Sequence, residues 1–165
     1  MARSCNYHAQ AIRHIRHLLT MDLAHTLACS LILSRIDYCN AVLHGAPSGT
    51  IRKLQRVQNN TARIVHQAPR RSHAHPLLKE LHWLPVEQRI CYKLAVLTFK
   101  IRHTSAPAYL SRHIRARSGT RSLRSSAVTF LDVPFRSFSC AAPATWNSLP
   151  PAVSTVTHSL YLNLG

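Results

Sequence analysis

Helical periodicity in the middle of the chain is the feature that most constrains its fold. Between residues 48 and 66 the apolar side chains recur at helical spacing, and Ser48 or Thr50 is placed to cap the start of the helix. At about 100° per residue these side chains fall in one arc about 140° wide. The arc contains Ile51, Leu54, Val57, Thr61, Ile64 and Val65. The pattern predicts an amphipathic helix with one core-facing side.

Four further segments have helical character. Residues 6–19 carry apolar side chains at helical spacing, and a short helix is predicted over 76–82. Pro85 suits a helix start, and residues 86–103 have no internal helix breaker and an extensive apolar surface, which is typical of a central bundle helix. Thr20 can cap a helix that runs on toward Gly45. For this helix we predict a core stripe of Leu23, Leu27 and Leu31, with Ala24, Ala28 and Ile32 beside it.

The character of the chain changes after residue 105. Helical periodicity weakens beyond a short turn at 108–114, prolines become frequent, and 128–133 and 135–138 alternate as short strands do. The predicted fold is mostly α: a small helical bundle of about four to five helices, then an irregular, proline-containing C-terminal extension with room for short strands. We expect the bundle over 1–105 and a basic, partly ordered extension over 106–165.

The charge is strongly unbalanced. Lys and Arg number 21 against five Asp and Glu, a formal charge of +16. The five acids are Asp22, Asp37, Glu80, Glu87 and Asp132. No two are closer than seven residues, so neither the carboxylates of a two-metal site nor a glycosidase pair assembles convincingly from them. We therefore expect no enzymatic activity, no cofactor and no metal. No apolar run approaches the roughly 20 residues of a membrane span.

Cysteine and histidine are plentiful but scattered. The five Cys are widely spaced without a C-x-x-C pair, which indicates reduced intracellular thiols. Cys29 and Cys91 fall in apolar helical patterns, where Cys is usually a small buried hydrophobe. The spacing Cys5-x2-His8-x5-His14-x2-His17 makes a zinc site conceivable, but with 12 His in the chain such spacings arise by chance.

A basic ridge lies opposite the apolar arc of residues 48–66. Arg52, Arg56 and Arg63 fall within about 40° of one another, with Asn59 and Asn60 beside them. Such a ridge suits a phosphate backbone, and an ordinary solvated face is the competing interpretation. No acid in the segment balances the ridge, which leaves the two close to even. The candidate nucleic-acid-binding residues are Arg52, Arg56, Arg63, Arg70, Arg71, Arg121 and Arg124.

Short blocks in a fixed order add a family resemblance. The blocks are residues 33–40 (LSRIDYCN), 51–59 (IRKLQRVQN), 62–63 (AR), 81–86 (LHWLPV), 89–90 (RI), 92–93 (YK), 106–110 (APAYL), 121–126 (RSLRSS), 141–143 (AAP) and 146–150 (WNSLP). Through them the chain resembles the region after the polymerase core of LINE-type (non-LTR) retrotransposon reverse transcriptases. The resemblance spans residues 4–151, about nine tenths of the chain.

The resemblance implies thumb-like helices and a C-terminal extension that hold a template–primer duplex and element RNA. The family's catalytic Tyr/Phe-x-Asp-Asp turn lies upstream of this region, and this chain has no Asp-Asp. We therefore expect a non-catalytic fragment of an RNA-directed DNA polymerase. The family continues into a basic amphipathic helix, whereas residues 155–165 carry no Lys or Arg. This difference suggests a truncated, decayed or mispredicted reading frame whose Met1 is not the family's start.

Two alternatives remain open at this point. One is a helical remnant that binds a protein partner through an exposed apolar helix face, with the Leu23, Leu27 and Leu31 helix as the candidate. The other is a decayed product without a selected function. The expected location is intracellular, in nucleus or cytoplasm. The first 19 residues contain arginines and no acid, which makes mitochondrial targeting a minor alternative.

Overall fold

The structure, a computed structural model, describes residues 1–38, 40–115, 130–133 and 138–150. These residues form helices and loops, and no strand occurs among them. The α-helices are α1 (Ala2–Ile15), α2 (Met21–Ala28), α3 (Ser34–Asp37), α4 (Ser48–Val65), α5 (Ala74–Glu80), α6 (Val86–Thr104), α7 (Ala108–Ser111) and α8 (Phe138–Asn147). A π-helical segment, Cys29–Leu33, joins α2 to α3, and short 3-10 helices cover Arg16–Leu18 and Asn40–Leu43. The mostly α prediction is confirmed.

The chain divides into two compact units. The N-terminal unit is Met1–Ile90, and the C-terminal unit begins at Cys91, inside α6. The sequence division after residue 105 follows a change of composition, whereas the structural division follows compactness. The division into a helical bundle over 1–105 and a basic extension over 106–165 stays a prediction.

Helix α4 is the centre of the N-terminal unit and packs against α1, α2 and α5. Its buried side confirms the predicted apolar arc, apart from Ile51, which is half-buried. The buried residues are Leu54, Val57, Gln58, Thr61, Ala62, Ile64 and Val65. Gln58 was not predicted in this core. Its Nε2 donates to the Leu84 carbonyl at 2.9 Å, so the buried amide is compensated.

The start of α4 differs from the prediction. The helix begins at Ser48 directly after Pro47, and no side chain caps it. Neither the Ser48 nor the Thr50 hydroxyl is therefore the cap. Proline before the first helical residue fixes the entry of the chain, since its ring restricts the backbone φ angle.

The predicted core side of helix α2 is confirmed only in part. The Thr20 hydroxyl accepts from the Leu23 N–H at 3.4 Å, which confirms the cap. Ala24, Ala28 and Ile32 are fully buried, whereas Leu23 is 54% exposed and Leu27 and Leu31 are half-buried. Small side chains let neighbouring helix backbones approach closely, so the alanine side faces the core. The core prediction is therefore confirmed for Ala24, Ala28 and Ile32 and wrong for Leu23.

The segment after α2 also ends earlier than predicted. Helix α3 stops at Asp37, and a separate 3-10 helix, Asn40–Leu43, precedes Gly45. Gly45 has a φ of 75°, a left-handed conformation that favours glycine. The glycine therefore ends the 3-10 helix rather than one long helix.

Helix α6 has a buried row along much of its length. Val86, Ile90, Leu94 and Ile101 are buried, as predicted, and Leu97 is half-buried. Cys91 is exposed, so the prediction that it is a buried hydrophobe is wrong. Neither α6, the longest helix of the described chain, nor any other described helix is both long and apolar enough to cross a bilayer.

In the C-terminal unit, an aromatic core gathers residues far apart in sequence. Phe99, Leu131 and Trp146 are buried together, and the Arg102 guanidinium lies 4.9 Å from the Trp146 ring centroid. Burial lowers the pKa of Arg102 from its ordinary value. The Asn147 amide donates to the Leu131 carbonyl and accepts from the Leu131 N–H, both at 2.9 Å. These contacts tie residues 130–133 to α8.

Helix α8 was not predicted. Pro143 lies inside it, and proline lacks the N–H that helix hydrogen bonding requires, so sequence rules favour a break there. The predicted alternating segment 135–138 is wrong at Phe138, which starts this helix. Residues 128, 129 and 135–137 lie outside the described residues. The predicted turn at 108–114 is confirmed in part by α7.

Candidate nucleic-acid interface

Two of the predicted arginines form an exposed basic row on α4. Arg52 and Arg56 are exposed, and one helical turn separates them. Because α4 is continuous to Val65, Arg63 falls in the same angular sector, about 16 Å along the axis from Arg52. Helix α4 contains no acidic residue that could neutralise this row.

Arg63 does more than extend the row. It is half-buried, and its Nε donates to the Ser72 carbonyl at 2.9 Å. Ser72 belongs to the loop that carries Arg70 and Arg71, both of which are exposed. An arginine of the helix therefore fixes the loop that presents two further cations, and five predicted residues become parts of one surface.

The two asparagines are used within the protein. Asn59 Oδ1 accepts from Gln55 Nε2 at 2.8 Å, and Asn60 Oδ1 accepts from Arg13 Nη2 at 3.3 Å. Both side chains are half-buried. Both bonds engage the amide oxygens, which hold a side chain of α4 and one of α1 in place. The role of the two asparagines as neutral donors beside the arginines stays a prediction.

A cleft of about 390 Å³ joins the end of α1 to the end of α4. Two predicted residues, Arg63 and Arg70, line it. Three cationic or titratable residues that sequence reasoning missed, Arg13, Arg16 and His17, line it as well. No acidic side chain is among the lining residues. The fold thus concentrates positive charge from two separate stretches of chain, residues 13–17 and 63–70.

Arg16 is the buried member of this cleft, with 8% of its surface exposed. Its Nε and Nη2 donate to the Val65 carbonyl at 2.9 and 2.6 Å, and its Nη1 donates to the Leu19 carbonyl at 2.8 Å. Val65 is the last residue of α4, where carbonyls lack helical partners and the helix dipole is negative. Arg16 therefore caps α4 and keeps a formal charge without a carboxylate.

A sequence signal for Arg16 exists. The buried positions of α1 are Cys5, Ala9 and Ile12, and Arg16 follows at the next step of the same helical spacing. A cation that continues a core stripe is expected to be buried with hydrogen-bond partners. Arg13 has no comparable signal, because its role depends on where α4 ends.

The carboxylates of the N-terminal unit are engaged elsewhere or exposed. Asp37 forms a two-pronged ion pair with Arg89, and Glu80 lies 3.9 Å from His66. Asp22 and Glu87 are exposed. In the described part of the chain, no ion pair involves an arginine of the α4 row, the loop or the cleft. Arg121 and Arg124, the remaining predicted residues, lie outside the described residues.

The described cysteines and histidines are not gathered into a metal site. Among the described residues no group of three or more His, Cys, Asp or Glu is placed to hold a metal ion. Burial raises the pKa of the Cys5 and Cys29 thiols, which keeps them protonated and poor ligands. Cys5 Sγ instead faces the Ile32 carbonyl at 4.0 Å. Cys29 is half-buried rather than buried as predicted.

Comparison of the chain with protein-family models, with curated proteins and with solved structures finds no match. The function is therefore inferred from the geometry of the basic surface. That surface combines an exposed row on a rigid helix, a tethered basic loop and a cleft with a buried cation. Its chemistry suits polyanions, because guanidinium groups donate in a fork that matches phosphate oxygens.

Proposed function

We propose that this protein binds the phosphate backbone of nucleic acid without catalysing a reaction on it. We further propose that it derives from the region C-terminal to the polymerase core of a LINE-type reverse transcriptase, with RNA or an RNA–DNA duplex as its ligand. One observation carries the binding proposal. Arg52 and Arg56 stand exposed on a rigid helix, and Arg63, further along the same sector, ties down the loop bearing Arg70 and Arg71.

The spacing of this surface supports backbone contact rather than base reading. Arg52 and Arg63 are about 16 Å apart along α4, a length that spans about five phosphates of one duplex strand. Reading of base edges needs side chains that enter a groove in a fixed register, whereas a cationic row beside a strand needs only charge and shape. Sequence-independent binding is the expected result.

The affinity should depend steeply on salt. A protein that neutralises about five phosphates releases their counterions, which gives a log–log salt slope near −4. Fluorescence anisotropy with a labelled 20-base-pair RNA–DNA hybrid measures this slope between 50 and 200 mM salt. We expect affinity to fall by a few hundredfold over that range, and two hybrids of unrelated sequence to bind within about twofold of each other. A slope near zero would overturn the proposal.

A second candidate function has its own observation. Leu18, Met21 and Leu23 are 74%, 37% and 54% exposed around the start of α2, an apolar surface that suits a protein partner. Light scattering after size exclusion at high salt tests whether this surface associates with a second copy of the chain. An oligomer that Leu23→Gln disrupts would support this function. A wild-type protein that is entirely monomeric would contradict self-association through this surface.

A further inference from the structure

We propose that the cleft at the C-terminal end of α4 binds a terminal phosphate group, the phosphomonoester at the end of a nucleic-acid strand. This inference deepens the proposed function and rests on it for the identity of the strand. The cleft is distinct from the α4 row, since Arg52 and Arg56 do not line it. Its volume of about 390 Å³ lies in the range of small-ligand pockets and is too small for a duplex.

Convergent charge is the first support for an anion at this place. Arg13 comes from α1, Arg16 from the following 3-10 helix, Arg63 from α4 and Arg70 from the loop. Like charges in one cleft repel, and in the described chain none of the four is paired with a carboxylate. A bound anion removes this repulsion, so the site gains most from a ligand with a high charge density.

Arg16 supplies the fixed part of the field. Its four contacts, to Val65 twice, to Leu19 and to the Met21 sulfur, hold the guanidinium in the wall of the cleft. Those partners carry no full charge. The negative end of the α4 dipole offsets part of the Arg16 charge, and the rest remains. A charge held away from bulk water acts through a lower effective dielectric than an exposed one. Arg16 is thus a positioning and electrostatic group rather than a direct ligand.

Arg13, Arg63 and Arg70 supply donors. A guanidinium carries five N–H donors. The contact of Arg13 with Asn60 uses one, and the contact of Arg63 with Ser72 uses one. These bonds orient both side chains and leave further donors for a ligand. Arg70 is exposed at the rim, where it can close on a bound group.

The chemistry favours a terminal phosphate over a backbone phosphate. A phosphomonoester carries about −1.5 to −2 charge at pH 7 and three strong acceptor oxygens. A backbone diester carries a single charge, and its two ester links extend away in both directions. A cleft with several guanidinium groups therefore gains more from the terminal group, which also needs room for chain on one side only.

The test compares two single strands of the same 12-nucleotide sequence, one with a 5′ phosphate and one with a 5′ hydroxyl. We expect the wild-type protein to bind the phosphorylated strand about tenfold more tightly in anisotropy titrations at one salt concentration. Inorganic phosphate added at constant ionic strength should abolish that advantage. Equal binding of the two strands would overturn the inference while leaving the salt-slope test of the proposed function untouched.

Two adjacent arginines provide matched variants. Arg70→Gln should remove the preference for the phosphorylated strand, because Arg70 lines the cleft. Arg71→Gln removes the same charge outside the cleft and should weaken both strands while keeping their ratio. A preference that survives in R70Q and in Arg13→Gln would contradict the site. Inorganic phosphate should raise the melting temperature of the wild-type protein but not of R70Q if the cleft binds phosphate. That result together with strand binding that does not depend on salt would support the cleft and refute the proposed function.

Discussion

Two arginines of the N-terminal unit show opposite ways of holding a guanidinium. Arg89 donates from Nε to Asp37 Oδ1 at 2.7 Å and from Nη2 to Asp37 Oδ2, a two-pronged pair that cancels its charge. Arg16 is more buried, and its oxygen partners are the carbonyls of Leu19 and Val65. Both arrangements satisfy the donors. Only the first neutralises the charge.

The difference separates a structural role from a binding role. At Arg89 the carboxylate leaves little field for another anion. At Arg16 the same donor geometry stabilises the end of α4 and leaves a positive charge in a cleft shared with Arg13, Arg63 and Arg70. With only five acids in the chain, most cations stay unpaired, and their placement on the fold decides where an anion can bind.

The largest expected loss of stability follows substitution of Arg16, the arginine that is bound to backbone carbonyls. Arg16→Met keeps the apolar stem but leaves the Val65 and Leu19 carbonyls without their donor. Each buried unsatisfied group costs about 1–3 kcal/mol, so we expect a loss of about 3 kcal/mol in the free energy of unfolding. Urea denaturation measures it. Arg70→Gln, a cleft residue that is exposed, should change stability by less than about 0.5 kcal/mol. A comparable loss in both variants would show that Arg16 has no special structural role.

A smaller effect on stability is expected for the ion pair between Arg89 and Asp37. The Arg89 and Asp37 side chains are 18% and 36% exposed, so solvent screens part of their attraction. A double-mutant cycle with Asp37→Asn and Arg89→Met should give a coupling free energy of about 1 kcal/mol that declines as salt rises. Additive effects of the two substitutions would mean that the pair contributes no net stability.

Three kinds of helix show how much of the fold can be predicted from the sequence. The long helices α4 and α6 follow from periodicity alone, because their apolar positions and buried positions largely coincide. Helix α2 shows the limit of that rule. Leucine is more apolar than alanine, yet Ala24 and Ala28 face the core, since the closeness of neighbouring helices is a property of the fold. Helix α8 was missed because it tolerates Pro143.

The candidate site was predictable in part for a related reason. The row on α4 depends on one helix, so angular spacing was sufficient to find Arg52 and Arg56. The cleft depends on α1 and α4 ending at the same place, which local patterns do not encode. Arg13 and His17 could therefore not be assigned from their neighbours in sequence, whereas Arg16 could be recognised as the continuation of the buried stripe of α1.

A single substitution should make the cleft resemble the ion pair. Gln67 lines the cleft and is exposed, so Gln67→Glu places a carboxylate among the arginines. The substitution also removes the hydrogen bond that Gln67 Nε2 donates to the Arg16 carbonyl at 3.4 Å, which offsets the new attraction. We expect a change of less than about 0.5 kcal/mol in the free energy of unfolding and a loss of the preference for a 5′ phosphate. Gln88→Glu, an exposed position outside the cleft, is the control for charge alone. If Gln67→Glu keeps the preference for a 5′ phosphate as Gln88→Glu does, the positive charge of the cleft does not act on the ligand.

The most direct test of the central claim compares two double variants of equal charge. Arg52→Gln with Arg56→Gln removes the exposed row on α4, and Arg3→Gln with Lys79→Gln removes two exposed charges elsewhere in the same unit. The measurement is the salt slope of binding to the RNA–DNA hybrid. The account predicts that the slope becomes less steep by about two in the first variant and stays near the wild-type value in the second. Equal slopes in the two variants would contradict it, because binding would then follow net charge and not the α4 row.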